Sequence, residues 1–369
     1  MRALDRKLLR DLWHLRGQAL AIAAVIMGGV ATLVMSLSTY DALVTTRDRF
    51  YAEGRFADVF ANLKRAPEPV ADRLRELPGV ERLETRVVAG VKLEVAGFSD
   101  PITGLVVSVP DEGEPLLDAP YLKRGRMVRP GDADEVVVSD SFADAHRLEP
   151  GDRLAAIIEG KRKVLTVAGV AVSPEYVYQI APGAMFPDFK RYGVLWMGRD
   201  ALAAAYDMQG AFNDVALKLS RDADVREVID RVDEVLDRYG GTGSYARPDQ
   251  LSNRFLSEEL KQLKTTATLF PAIFLGIAAF LLDVVVSRLV ALQREQVAIL
   301  KAFGYSNLAV GAHYVKLVML IVLLGVAAGV ALGAWFGQGL SNVYAETTFR
   351  FPYLDFRVRP GVALIALAI

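Results

Sequence analysis

From Gly17 to Tyr40 the chain runs 24 residues without a charged side chain, beginning GQALAIAAVIMGGVATLVM. As a helix rising 1.5 Å per residue it reaches about 36 Å, enough to cross a hydrocarbon core of roughly 30 Å. A cleaved leader is the competing reading. Against it, the apolar run is too long, no small-x-small cleavage site is convincing, and a helical pattern continues beyond it. Two further spans are expected at 265–287, interrupted by Asp283, and at 314–337, rich in the glycine and alanine that permit close helix contact. A last apolar run begins at Gly361, and the sequence stops after nine residues, GVALIALAI. Nine residues cannot span a bilayer, so the sequence reads as a truncated version of a longer protein.

The balance of the composition agrees. Hydrophobic residues make up 52% and charged residues 24%, a conflict in a uniform globule that separate lipid-soluble and water-soluble parts resolve. The net charge of −1 gives no basic field for nucleic acid. With no cysteine there is no disulfide, thiolate metal site or cysteine catalysis, and His14, His146 and His313 are too scattered for a zinc site.

Orientation follows from the basic residues flanking the spans. Arg2, Arg6, Lys7, Arg10 and Arg16 precede the first, and Arg288, Arg294, Lys301 and Lys316 lie around the turn between the second and third. Both groups are expected in the cytoplasm, which puts the long segment 41–264 outside. The bias is modest, because the outer loop 338–360 also holds Arg350, Arg357 and Arg359. Residues 1–16 pattern as an amphipathic helix, with Leu4, Leu8, Leu12 and Leu15 on one face, either lying on the inner membrane surface or serving as a basic anchor.

The outer segment has mixed α and β character. A helix is expected over Glu68–Leu77, strands through Val80–Ala96 and Ile102–Val109, a strand at Glu135–Val138, and a helix at Ser141–Arg147 begun by a capping serine. Glu159-Gly160-Lys161 reads as a hairpin turn, and Val225 to Tyr239 as a helix with apolar residues at 3–4 spacing. Gly240–Ser244 lacks the lysine of a phosphate-cradling loop and reads as a flexible connector. Helical patterns over Ser38–Ala52 and Pro248–Lys264 border the first two spans, and side by side they would form a stalk; two independent linkers are the alternative.

The turn after the second span reads Arg288-Leu-Val-Ala-Leu-Gln-Arg294-Glu295-Gln-Val-Ala-Ile-Leu300-Lys301-Ala-Phe303-Gly304-Tyr-Ser306. It resembles the loop of FtsX-like permeases: a basic residue, Glu, small apolar residues, Leu-Lys-Ala-Phe-Gly, then a small polar residue. Outside, Arg124-Gly125-Arg126, Glu135-Val136-Val137-Val138, Leu148-Glu149-Pro150-Gly151-Asp152 and Val167-Ala168-Gly169-Val170 follow in the order of a MacB-type periplasmic core domain. The resemblance implies a type VII ABC permease of the bacterial inner membrane: an α-helical membrane protein with FtsX-like transmembrane helices and an inserted α+β extracytoplasmic domain. It also implies a cytoplasmic ABC ATPase as partner, a dimer with a second permease copy or paralogue, and a periplasmic adaptor protein.

No GxxxxGK[ST] loop is present, so ATP is expected on the partner; no cofactor, metal or catalytic residue is expected here. The docking element for that partner is expected in the cytoplasmic loop 288–313. There Glu295–Phe303 fits a short helix, with Gly304 as its left-handed terminator and Ser306 capping the next. Arg294, Glu295, Val297, Leu300, Lys301, Phe303 and Gly304 are the expected coupling residues, apolar enough for a groove on the ATPase. Packing against the membrane interface is the plainer alternative. Asp283 is expected to snorkel or pair with Arg288 or Lys316, and Pro271 to kink or start the second span. Asp132, Asp134, Asp111, Glu112 and Glu114 sit in turns and read as exposed acids. The implied function is coupling of ATP hydrolysis to a periplasmic conformational change for export or extraction of an amphiphile. The alternatives are a mechanotransmitter regulating a cell-wall hydrolase and, from another class, a membrane sensor, for which no cytoplasmic output module follows any span.

Overall fold

Three helices in the computed structural model are long and apolar enough to cross a bilayer among the residues described, which are Arg10, Leu12, Trp13, residues 16–358 and Gly361. The amphipathic helix expected over 1–16 falls largely outside the described residues, and so does the apolar run beyond Gly361.

The chain enters with α1 (Arg16–Glu53) and then builds an α+β segment. In order this contains β1 (Val59–Pro67), α2 (Pro69–Arg75), β2 (Val80–Arg86), β3 (Val88–Glu94), β4 (Ile102–Val109), β5 (Tyr121–Gly125) and β6 (Glu135–Ser139). There follow α3 (Asp140–His146), β7 (Arg153–Ile158), β8 (Lys161–Val172), β9 (Tyr192–Gly198), α4 (Arg199–Ala205), β10 (Ala211–Leu219), α5 (Val225–Leu236) and β11 (Tyr245–Ala246). The chain closes with α6 (Leu251–Leu292), α7 (Arg294–Ala302) and α8 (Asn307–Val343), the last running into a π-helical turn at Tyr344–Thr348. Two compact units result. A helical unit holds the described residues up to Thr45, Glu259–Val343 and those from Leu354; an α+β unit holds Thr46–Glu258 and Tyr344–Tyr353.

In the helical unit, α1 buries Ile22, Ile26, Val30, Leu33 and Val34 together with Ala278 of α6 and Ile321 and Val326 of α8. Lipid supplies no hydrophobic drive between helices, so their association depends on close contact of small residues. Gly325, Gly329 and Gly333 stand four apart and share one face of α8. A Cβ added to Gly329 would lie 2.7 Å from the Val30 Cβ and 2.9 Å from the Met27 carbonyl oxygen, and one on Gly333 would lie 2.6 Å from the Ala31 carbonyl oxygen. The two backbones therefore touch, as the glycine-rich sequence suggests. At the same seam the Thr39 hydroxyl donates to the Gly337 carbonyl at 3.2 Å. Leu269, Phe270, Ile273, Phe280, Trp335 and Phe336 are exposed on the helix surfaces, a pattern that belongs in lipid. Pro271 stands inside α6 rather than at its start, and Asp283 is exposed on the same helix.

The α+β unit contains two sheets. A four-stranded antiparallel sheet has the order β11-β1-β10-β2, and its core joins Val59, Leu63, Phe212 and Leu217 to Leu74 of α2 and Val228, Val232 and Leu236 of α5. The larger sheet has the order β5-β8-β6-β9-β4-β3-β7, and β7 also pairs with β8, so the ladder closes on itself. Its interior is aliphatic, including Val91, Val106, Val138, Leu154, Leu165 and Leu195, with Phe142 of α3. The stretch 80–96 is thus not one strand system. Residues 80–86 belong to the small sheet and 88–94 to the closed one, with buried Val87 at the crossing. Alternation alone cannot register this change of partner.

Local signals fare better where the chemistry is short-ranged. Glu159 and Gly160 take φ of +46° and +74° between paired Ile158 and Lys161, the left-handed pair that a two-residue hairpin loop requires. The cap of α3, however, is Ser139 and not Ser141; the Ser141 hydroxyl instead donates to the Gln179 side chain at 2.7 Å. Gly240–Ser244 is no free connector either. The Gly240 carbonyl accepts from the Lys64 amide at 3.2 Å, the Thr242 amide donates to Asn62 at 2.9 Å, and the Ser244 amide donates to Asp233 at 2.7 Å.

Candidate functional site

The turn between the second and third long helices is built from backbone capping. Gln293 ends α6, and its carbonyl accepts from the Val297 amide at 2.9 Å to start α7. The nine-residue helix ends at Ala302, and after Phe303 the chain turns at Gly304, whose φ of +87° suits a residue without a Cβ and whose amide donates to the Lys301 carbonyl at 2.9 Å. The Ser306 hydroxyl then accepts from the Ala309 amide at 3.2 Å, capping α8. The Tyr314 hydroxyl donates to the Gln293 side chain at 3.0 Å, tying the first turns of α8 to the α6–α7 joint. The turn is a fixed shape set by short-range bonds.

Its side chains face outward. Phe303 is 79% exposed and Ile299 55%, and they are flanked by exposed Leu292 and Leu308. Arg294, Glu295, Lys301 and Gly304 are exposed and Val297 is half-buried, while the side chain of Leu300 lies outside the described residues. The short helix thus carries exposed apolar side chains beside both signs of charge.

A second constellation lies in the α+β unit, where no motif announced it. Arg86, the last residue of β2, has a side chain only 6% exposed. Its guanidinium donates to Asp214 of β10 at 2.6 Å, to the two oxygens of Glu175 at 2.5 and 3.2 Å, and to Asp118 at 3.4 Å. Burial pushes the Asp118 carboxyl well above its ordinary range, and the neighbouring Glu175 charge adds to that against the pull of Arg86. Asp214 is raised for the same first reason, with Arg86 again opposing. The group connects to both long helices. Asp118 accepts from the Ala57 amide at 2.9 Å just after α1, and the Glu175 carbonyl accepts from the Gln250 side chain at 2.8 Å just before α6. One turn inward, the Tyr51 hydroxyl of α1 donates to the Asn253 side chain of α6 at 3.2 Å, so within this unit the end of one helix meets the start of the other.

The acids read as exposed are partly otherwise. Glu112, Glu114 and Asp134 are exposed, but Asp132 is half-buried and Asp111 accepts from the Asp200 amide at 2.8 Å, at the start of α4. Arg86, Asp118, Glu175 and Asp214 stand far apart in the chain, and only the crossing from one sheet to the other brings them together.

Residues 19–235 match the MacB-like periplasmic core domain family, and residues 268–369 match the FtsX-like permease C-terminal family. No curated protein gives a significant match. Among solved structures, the extracellular domain of the ABC-type transporter YknZ from Gram-positive bacteria is similar at 11% identity and TM-score 0.33, over 52% of this chain and 98% of that one. The periplasmic region of MacB from Actinobacillus actinomycetemcomitans is similar at 12% identity and TM-score 0.34, over 56% and 94%. Scores of this size carry no weight of their own beside the two family matches. The first of those matches covers more than half of the chain, and the chain belongs to the MacB/FtsX family of ABC-transporter permeases, as an α-helical membrane protein with an α+β extracytoplasmic domain inserted after its first span.

Proposed function

We propose that the chain is the inner-membrane subunit that turns ATP hydrolysis on a separate cytoplasmic ABC ATPase into movement of the extracytoplasmic domain, for export or extraction of an amphiphilic substrate. The observation that supports this most is α7, a capped helix whose Phe303 and Ile299 are exposed beside Arg294, Glu295 and Lys301. In this reading Val297, Ile299, Leu300 and Phe303 enter a groove on the ATPase, the charged residues line its rim, and Gly304 fixes the exit of the chain. Movement then travels along α1 and α6. At 38 and 42 residues these helices measure about 57 and 63 Å, roughly twice a hydrocarbon core, so each is long enough to act on both sides of a membrane. The chain carries no phosphate-binding loop, which leaves ATP chemistry to the partner. Pairing with a second permease and engagement of a periplasmic adaptor belong to the same proposal.

The natural absence of cysteine makes the test clean. The chain with Phe303→Cys, purified in membranes with its ABC ATPase, is expected to cross-link to that ATPase through a thiol-directed reagent. Met185→Cys, at an exposed position of the α+β unit, serves as the comparison. Equal cross-linking from both positions, or labelling of the F303C thiol from outside the cell, would overturn the assignment. Retrieval of a cell-wall hydrolase, rather than an adaptor, by the α+β unit would replace export with hydrolase regulation.

A further inference from the structure

The segment Tyr344–Tyr353 follows α8 directly and reads in sequence as an outer loop, ETTFRFPY from Glu346. Loops of this kind normally lie on the surface. This one is embedded in the α+β unit. Phe349 is 2% exposed and Phe351 5%. The Phe349 ring lies 5.7 Å from that of Tyr178, which itself stacks at 4.7 Å on Phe255 of α6; the Phe351 ring meets Phe50 of α1 edge-on at 6.3 Å. Between the two aromatic anchors, the Arg350 amide donates to the Val177 carbonyl at 2.9 Å. The Arg350 side chain, 14% exposed, pairs with Asp144 at 3.0 Å and Asp140 at 3.3 Å, both on α3, and stands 5.5 Å from the Phe189 ring. Both bonds come from one terminal nitrogen, and Nε has no hydrogen-bond partner among the described residues. The Asp140 side chain is 3% exposed, and the oxygen that accepts from Arg350 also accepts from Lys123 at 3.0 Å. At the end of the segment the Tyr353 hydroxyl donates to Glu53 of α1 at 2.7 Å, with the Arg49 guanidinium 4.5 Å from its ring.

The Phe351 amide donates to the Phe349 carbonyl at 3.2 Å, a tight three-residue turn about Arg350. The Phe-Arg-Phe unit thereby fills an aromatic slot and closes an ion pair at once. Asp144 also pairs with Arg124 at 3.0 Å, so each carboxylate has a second cation, and loss of Arg350 takes one of two partners from Asp140, whose side chain is 3% exposed.

We propose that Phe349-Arg350-Phe351 is a strap that fastens the end of the third membrane helix to the extracytoplasmic domain, with Arg350 as its positioning residue. This rests on the permease reading above and deepens it. The coupling turn α7 lies between α6 and α8 in the chain. Its displacement then has two covalent routes outward, one along α6 to Gln250 and one along α8 to Arg350, and the domain responds only when both are engaged.

The test uses the full chain in nanodiscs with its ABC ATPase and two readouts. Strap docking is read from bismaleimide cross-linking of an E53C/Y353C pair, and coupling is read, in the chain without added cysteines, from stimulation of ATP turnover by the permease. R350D is expected to lower both about fivefold, and the charge swap R350D/D144R, made with R124Q in both arms because Arg124 also pairs with Asp144 at 3.0 Å, to restore both, which also shows that the lowered values do not come from misfolding. R350K is expected to keep most of each. Unchanged cross-linking in R350D, or lost cross-linking with stimulation intact, would overturn the strap. If the unsubstituted chain fails to stimulate the ATPase, the permease reading itself fails and the strap's coupling role falls with it.

Discussion

Arg86 grips Glu175 through two hydrogen bonds, at 2.5 and 3.2 Å, in the interior of the extracytoplasmic domain. With Asp214 and Asp118 on the same guanidinium, one cation serves three carboxylates at the place where the chain passes from one sheet to the other. Removing that cation leaves buried charge unpaired, the costly half of any buried ion pair. R86M is expected to destabilise the domain by about 3–5 kcal/mol, read from thermal or urea unfolding of the full chain. Wild-type stability in R86M would mean that the carboxylates do not depend on it.

The same cluster gives the domain a pH dependence. Asp118 faces Arg86, Glu175, Glu84 and the Ala57 amide, and its native pKa is raised by burial first. The native state therefore binds more protons than the unfolded chain once the pH exceeds about 4, the ordinary aspartate value. Its contribution is fully present below that value and is lost as pH rises toward the native pKa. Glu135 acts in the opposite sense. The hydrogen bond from Arg126 lowers its pKa, so its contribution is present above the ordinary glutamate range and is lost as pH falls. Unfolding measured from about pH 2 to pH 8 is expected to show a shallower decline toward high pH in D118N, with Asp214 and Glu84 supplying the remainder, and a shallower decline below about pH 4 in E135Q.

The contact of Gly329 with Val30 gives a third expectation. No side chain fits between α1 and α8 at that point, so G329L forces the helices apart and is expected to cost about 1–3 kcal/mol in detergent unfolding. Gly339, on the same helix, has open space where its Cβ would be, and G339A is expected to be neutral or mildly stabilising. Equal effects at the two positions would count against close packing of these helices.

Much of this was legible in the sequence because the forces are local or compositional. Long apolar runs mark the spans, Gly304 and Ser306 mark the ends of helices at the turn, and Glu159-Gly160 marks a hairpin. What escaped depends on long-range geometry. Ser141 looks like a helix cap, yet the backbone turns two residues earlier and spends that hydroxyl on Gln179. Gly240–Ser244 looks mobile by composition, yet Lys64, Asn62 and Asp233 hold it. Arg86 sits in a strand pattern like any solvated arginine, and Arg350 in what reads as an outer loop. Each finds its partners only after distant segments are brought together, which neither periodicity nor spacing encodes.

Stimulation of the ABC ATPase by the membrane-inserted chain, compared between the natural sequence and F303D, tests the coupling role of α7 most directly; L300D and G304P extend the comparison along the same turn. Loss of at least about tenfold of the stimulation is expected in F303D, with insertion and the fold of the extracytoplasmic domain intact, because a charge placed in an apolar groove is left without a partner. Full stimulation in F303D would show that this helix does not carry the ATPase's movement across the membrane.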